Sequence, residues 1–533
     1  MTATTDTILR GDATVLFPIK GTAPVATGEG VVDDITFRTI EIDALFDFAN
    51  HARTRVGQAV LYRSLVRPED AFEKVAAKQE ALRELEQNKE LLQSVTRLVQ
   101  RAAQWEGDFY QLLYASFIGL MGKPANEQEL GGYGYDTYQR GIRFLLGLAE
   151  DAAALPAPKS AYLKDILAAV DRFAKSRAGA LMRGPVYRTE KTVVTKQEKG
   201  LFTPALKFTP TLFKPVALSL AAVAIVVLVN VLPLLLDIVE TIMPALWLFL
   251  LPVALTYTPI VGSFDRDGCI YPLRDIYRRS PEVQEAVDAL GRLDELLSFR
   301  NYAEAYGPPM VLPTLLEGPS HRFSMKGARN PILGKNNRYY VPNDAALDGH
   351  CLTFITGPNS GGKTAFCKTV AQIQLLAQAG GYVPAASAEL TVADRIFYQT
   401  PEMSALSDGE GRFGTELKRT KAIFLATSAS SLVVLDELSE GTTTQEKLEI
   451  SANILEGFHK KGNNTLLITH NHELVDVFQE QNIGLALQVE FAKERATHRL
   501  VPGISRVSHA HHVARKIGFA KEDIAKYLEE KGI

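Results

Sequence analysis

The run Gly357-Pro-Asn-Ser-Gly-Gly362-Lys363-Thr364 narrows the choice of fold more than any other feature of the chain. It follows the apolar strand pattern CLTFIT and opens the helix pattern TAFCKTVAQIQLLAQAG. Glycines between a strand and a helix let the backbone turn tightly, so that N–H groups and the helix N-terminus face phosphate oxygens. A strand, loop and helix of this kind form a βα unit and call for a parallel sheet flanked by helices. Gly357, Pro358, Asn359, Ser360, Gly361 and Gly362 are expected to wrap the phosphates of a nucleoside triphosphate. Lys363 is placed to reach the β- and γ-phosphates, and Thr364 to hold Mg2+.

A second signal lies about 70 residues further on, where the apolar run Leu432-Val-Val-Leu ends in Asp436 and Glu437. An apolar strand ending in two acids is weak alone and strong at this distance from a phosphate loop. Asp436 is expected to bind Mg2+, directly or through water, and Glu437 to polarise the attacking water. The strand pattern Leu466-Leu-Ile-Thr-His470 then ends in a histidine suited to sensing a γ-phosphate. RYYVP (338–342), LTFITG, DRIFYQ, SLVVLDE and NTLLITH all read as strands alternating with helices.

The N-terminal half has a different texture. From Ile40 to about Arg183 apolar residues recur at three- and four-residue spacing with charges between them, a helical pattern. GGYGY at 131–135 and ALPAPKS at 154–160 read as loops, with helix resuming from Ser160 to Arg177. A second long helix, PEVQEAVDALGRLDELLSFRNYAEAYG, leads toward the C-terminal half. Charge is nearly balanced, Lys+Arg 58 against Asp+Glu 61, so no global basic character points to nucleic acid. The three cysteines have no metal-site spacing and need no disulfide, which suits a reducing compartment. The first twenty residues hold no apolar signal core, so no cleaved leader is expected.

Between Pro215 and Gly262 the only charges are Asp237 and Glu240. They separate apolar runs at 215–236 and 241–262, each able to span roughly 30 Å as a helix. The reading adopted is a transmembrane hairpin; the alternative is a buried hairpin in a large core, and four prolines also leave room for a re-entrant path. Lys196, Lys199, Lys207 and Lys214 precede it, and Arg266, Arg274, Arg278 and Arg279 follow, which places both ends on the cytoplasmic side.

GPNSGGKT resembles the phosphate loop of MutS proteins, and LVVLDELSEGTTTQEKLEIS resembles their strand-and-loop segment. ARNP (328–331), YYVPN (339–343), the tail HRLVPGISRVSHAHHVARKIGFAKEDIAKYLEE and the stretch ARTRVGQAVLYRSLVRPEDAFEKVAAKQEALREL resemble further family segments. The resemblance covers about 36–205 and 265–533. It implies an ATPase, adenine stacking on Tyr340, a homodimer and a dimerisation role for the tail. It also shows departures. No mismatch-reading module or Phe-x-Glu wedge precedes the core, and the apolar hairpin stands where the family's lever helices end in a DNA clamp. In the partner-reaching G-x-S-T-F-x-x-E signature, Gly411 takes the serine's place; the candidates for a substitute contact are Ser407, within an LSDGE run that also looks like an ABC-type signature, and Arg412, and the alternative is a flexible loop without that role. Glu440 replaces the usual arginine before Gly441.

The expected fold is an α/β ATPase domain (a phosphate-loop, ABC/MutS-like, mostly parallel sheet) preceded by an all-α lever and core domain interrupted by the apolar hairpin. The expected order is an irregular segment (1–35), helical core and lever (36–214), hydrophobic hairpin (215–262), returning lever helix and linker (263–318), ATPase domain (319–500) and helix-turn-helix tail (501–533). The expected function is ATP hydrolysis by a membrane-anchored, MutS-like dimer whose closure moves helical levers, with the ATPase domain cytoplasmic. Two alternatives remain: a soluble DNA-binding repair or recombination ATPase whose hairpin is core, and an ABC-like membrane motor.

Overall fold

The computed structural model describes residues 19–119, 132–200, 205–210, 221, 224, 261–358, 361–401, 411–438, 444–492, 495–506 and 518–531. The chain divides into two compact units: Met1–Thr22, His51–Tyr62 and Glu80–Ser298 in one, Ala23–Asn50, Arg63–Gln79 and Phe299–Ile533 in the other.

The first unit is mainly helical, as the periodicity indicates. Helices Lys89–Tyr114 and Tyr135–Ala153 pack through a stacked Phe109–Phe144 pair, ring centroids 5.1 Å apart. Two buried carboxylates fasten the start of helix Arg55–Val66. Asp294 accepts from the Arg53 and Thr54 N–H groups at 2.9 and 2.7 Å, and Glu106 from those of Arg55 and Val56 at 2.7 and 2.9 Å. Burial raises the pKa of both carboxyls, and these bonds from main-chain N–H groups at the helix start pull the other way. A Cβ on Gly57 would stand 2.3 Å from the Asp294 carboxylate, so only glycine admits this cap.

An all-α unit is not what forms. Val186–Arg188 pairs antiparallel with both Val193–Val194 and Leu206–Phe208, making a small three-stranded sheet. GGYGY is not simply a loop either: Tyr133–Gly134 pairs with Phe117–Gly119, and Tyr135 opens a helix. The Tyr133 and Tyr135 rings pack edge-on against Phe117, at 5.4 and 4.9 Å, and this burial overrides the turn preference of the glycines. The expected Ser160–Arg177 helix is two, Ala161–Lys175 and Arg177–Arg183, with Ser176 capping the second. The apolar hairpin lies outside the described residues, apart from residues 221, 224, 261 and 262. Among the described residues no helix is long and apolar enough to cross a membrane.

The second unit is the expected α/β structure. Its six-stranded sheet runs, edge to edge, Ile396–Gln399, Leu432–Asp436, Asn464–Ile468, Leu352–Thr356, Leu485–Ala492, Arg495–Pro502. All neighbours are parallel except the last pair, an antiparallel hairpin. LTFIT and NTLLI are buried at every position, as strands covered on both faces must be. One face carries Phe354, Phe397, Val433, Leu435, Leu467, Leu455, Phe458 and Phe478 in a continuous cluster. Each such side chain contributes about 1.5–3 kcal/mol on burial. Helix Lys363–Gln378 is buried nearly all round, and its three buried glutamines explain how. Gln372 donates to the Ile40 carbonyl, Gln374 to that of Thr391 and Gln378 to that of Ala393, so no amide is stranded.

A smaller sheet orders Thr314–Leu316, Ser387–Thr391, Phe323–Ala328 and Asn343–Ala346. The expected strand at 338–342 is instead a turn, and pairing starts only at Asn343. Arg329 holds that turn by donating to the Asn337 carbonyl at 2.6 Å, and Pro342 has no N–H to offer a ladder.

Candidate active site

Every group the site requires stands at the C-terminal end of a strand in the parallel sheet. Register sets Asp436 level with Ile468, and Ile468 level with Ile355, so the loops after three adjacent strands converge. In open parallel sheets that edge is where ligands bind.

The phosphate loop is shaped by what its glycines permit. Gly357 and Gly362 have φ of 133° and 91°, which side chains rarely adopt. A Cβ on Gly361 would lie 2.7 Å from the Val489 side chain, and one on Gly357 3.0 Å from it. Gly357 and Gly361 therefore approach Val489 with backbone alone, and the Gly361 N–H donates to the Pro358 carbonyl at 3.0 Å. Asn359 and Ser360 lie outside the described residues. Lys363, only 3% exposed, folds over the loop and donates to the Gly357 carbonyl at 2.7 Å. Burial lowers its pKa, with Asp436 and Glu437 pulling the other way. An ammonium so desolvated gains strongly from an anion brought beside it.

Thr364 donates to the Asp436 carboxylate at 3.1 Å, joining the first turn of the helix to the acidic strand. Glu437 occupies the left-handed region at φ 64°, a conformation that costs a non-glycine residue about 1 kcal/mol or more. Its N–H donates to the Ile468 carbonyl at 2.9 Å, which holds it there. The Glu437 carboxylate is 3.4 Å from Nε2 of His470, whose ring is half exposed. The structure thus brings together Gly357, Lys363, Thr364, Asp436, Glu437 and His470.

These residues fit a triphosphate and Mg2+. The loop has the bare backbone that phosphates require, and Thr364 with Asp436 offers the hard oxygen pair that Mg2+ takes alongside water and phosphate oxygens. Among the described residues no group of three or more His, Cys, Asp or Glu makes a self-sufficient metal site.

Residues 353–530 match the family model of MutS domain V. The C-terminal part of this chain carries a MutS domain V. The DNA mismatch repair protein MutS of Parabacteroides distasonis is 34% identical over 271 residues, covering 47% of this chain and 30% of that relative. Its counterpart in Rhodopirellula baltica is 35% identical over 250 residues, 45% of this chain and 28% of the relative. That of Myxococcus xanthus is 34% identical over 262 residues, 47% and 29%. The chain thus aligns with less than a third of each relative's length. Every candidate from Gly357 to His470 falls inside the span matched to domain V.

Tyr340 lies before the matched span, in the turn described above, with the Arg329 guanidinium 5.1 Å from its ring centre. Ser407 lies outside the described residues; Gly411 and Arg412 begin helix Gly411–Ala426. One residue escaped the sequence reading. His498, at φ 62° in the antiparallel hairpin, brings Nδ1 to 3.4 Å from the Gly361 carbonyl. Asn343 braces it, donating to the His498 carbonyl at 3.0 Å and accepting from the Leu500 N–H at 2.8 Å. No motif marks His498; only strand register delivers it to the loop.

Proposed function

We propose that this chain binds ATP with Mg2+ and hydrolyses it. The observation that carries the reading is the Thr364–Asp436 contact beside the Glu437–His470 pair, both at the mouth of the glycine loop. In this mechanism Glu437 accepts the proton of the attacking water as its oxygen bonds to the γ-phosphorus. The bond from that phosphorus to the β,γ-bridging oxygen breaks, and ADP leaves with the electron pair. Lys363 offsets charge gathering on the phosphate oxygens, and His470 orients the Glu437 carboxylate. Mg2+, held by Thr364 and Asp436, would supply further charge neutralisation. Asp436→Asn is expected to raise the Mg2+ concentration needed for half-maximal phosphate release about tenfold, since it removes a full charge from the ion's seat. An unchanged Mg2+ titration would remove Asp436 from that role.

The relatives are DNA mismatch repair proteins by name. In our reading the chain works as a homodimer whose ATPase domains close on nucleotide and move helical levers. Its anchor is the 215–262 hairpin, with the ATPase side cytoplasmic. The support for the anchor is the two apolar runs. The second reading, a soluble DNA-binding repair ATPase, is favoured by the names of the relatives. Replacing Val226 and Leu248 together with lysine separates the two. Each lysine at a bilayer centre costs about 2.5–3.5 kcal/mol on insertion scales, so the variant should leave the membrane fraction while still binding ATP. In a soluble core the same two charges would unfold the protein and abolish ATP binding. Wild-type protein remaining wholly soluble through a carbonate wash would end the anchor and bring salt-sensitive DNA binding to the front.

A further inference from the structure

The ATPase unit includes a stretch far from it in sequence. Within residues 23–50 the Val31 carbonyl accepts from the Ile396 N–H at 2.7 Å, and Val32 makes a parallel bridge to Ile396, extending the sheet at its edge. Helix Asp34–Thr39 follows, capped by Asp33, which accepts from the Thr36 N–H at 2.9 Å; Thr36 in turn accepts from the Tyr398 N–H at 3.0 Å. Two contacts then reach opposite ends of the machinery. Glu41 pairs with Lys368 at 2.7 Å and the Ile40 carbonyl accepts from Gln372 at 2.8 Å, both on the helix that opens at the phosphate loop. Asp33 pairs with Arg419 at 2.6 Å, on helix Gly411–Ala426, which begins with the signature candidates Gly411 and Arg412.

In the Asp33–Arg419 pair both side chains are nearly inaccessible, 2% and 8% exposed. Arg419 also donates to Thr27, whose hydroxyl donates to Asp33 at 2.7 Å, and its guanidinium lies 5.8 Å from the Phe397 ring centre. Arg419 Nε and Nη2 are buried with no acceptor among the described residues. Despite the burial cost, the Arg419 hydrogen bond and charge hold the Asp33 carboxyl below its usual range. A buried pair is a poor source of net stability, and removing one partner alone leaves an uncompensated buried charge.

We propose that residues 31–41 form a positioning strap within the ATPase unit, in which Asp33, through Arg419, sets the seat of helix Gly411–Ala426 against the sheet that carries the phosphate loop. Asp33 and Arg419 are positioning residues here. The consequence for turnover rests on the ATP-hydrolysis reading above.

The test compares wild type with the charge-free pair Asp33→Asn with Arg419→Met. Asparagine keeps the cap on helix Asp34–Thr39, and methionine takes the guanidinium's place near the Phe397 ring without a stranded charge. Melting temperature and ADP affinity are expected to stay near native. Amide exchange across helix Gly411–Ala426 should quicken about tenfold while that of Lys363–Gln378 is unchanged, and kcat for ATP should fall about tenfold with KM little altered. Native exchange in Gly411–Ala426 overturns the proposal, and so does quickened exchange with native kcat. Equal loosening of both helices, or lost ADP affinity, overturns it too by revealing a general prop for the fold. Wild-type protein that never releases phosphate sinks the hydrolysis reading alone, because the exchange measurement still decides the strap.

Discussion

Lys363→Ala is expected to weaken ATP binding about 100-fold or more and to remove measurable phosphate release. Lys363 is the only basic residue of the loop from Gly357 to Thr364. Its buried ammonium is poorly hydrated, with the Gly357 carbonyl as acceptor at 2.7 Å. Removing one partner of a desolvated charge pair costs about 2–5 kcal/mol, which corresponds to roughly 30- to several-thousand-fold in affinity. The fold should survive, because alanine relieves a buried charge rather than creating one, and it suits the first turn of a helix. Titration calorimetry with ATP, beside a thermal melt, checks both halves of the expectation. Affinity within threefold of native would mean that the phosphates are not held through this side chain.

Glu437→Gln is expected to act on the other half of the cycle. ATP should still bind, since the amide keeps the size and the main-chain position of the carboxylate. Single-turnover hydrolysis should slow about 100- to 10,000-fold, the span usual for loss of a general base. The strained backbone makes this substitution a clean one. Glutamine meets the same penalty at φ 64° that glutamate already meets, so the site's geometry is not released. A native single-turnover rate would transfer the water-activating role elsewhere, with His470 at 3.4 Å the first residue to examine.

Local rules made much of this site readable. A glycine run between a strand pattern and a helix pattern has few structural outcomes, and in the structure Lys363 opens helix Lys363–Gln378 where that pattern begins. Continuous runs such as LTFIT and NTLLI can be buried only by a sheet covered on both faces, and those strands lie in the sheet interior. Where the reading failed, a longer-range contact had outweighed a local preference. Buried aromatic rings drew Tyr133 and Tyr135 out of an apparent glycine loop, and an arginine bond bent the 338–342 stretch into a turn.

By itself the sequence determined the elements of the ATPase half and the chemical types at its centre: bare backbone, one cation, a hydroxyl, two carboxylates and a histidine. Those depend on residue identity and on spacings within a few turns of chain, which the backbone enforces locally. Tertiary structure alone decided which of them touch. It set Thr364 against Asp436, separated by 72 positions, and carried His498 to Gly361 across 137. It also placed Asp33, near the other end of the chain, under Arg419. Such pairings depend on strand order and register across a whole sheet, and these are set by the summed burial of many side chains, so no local spacing records them.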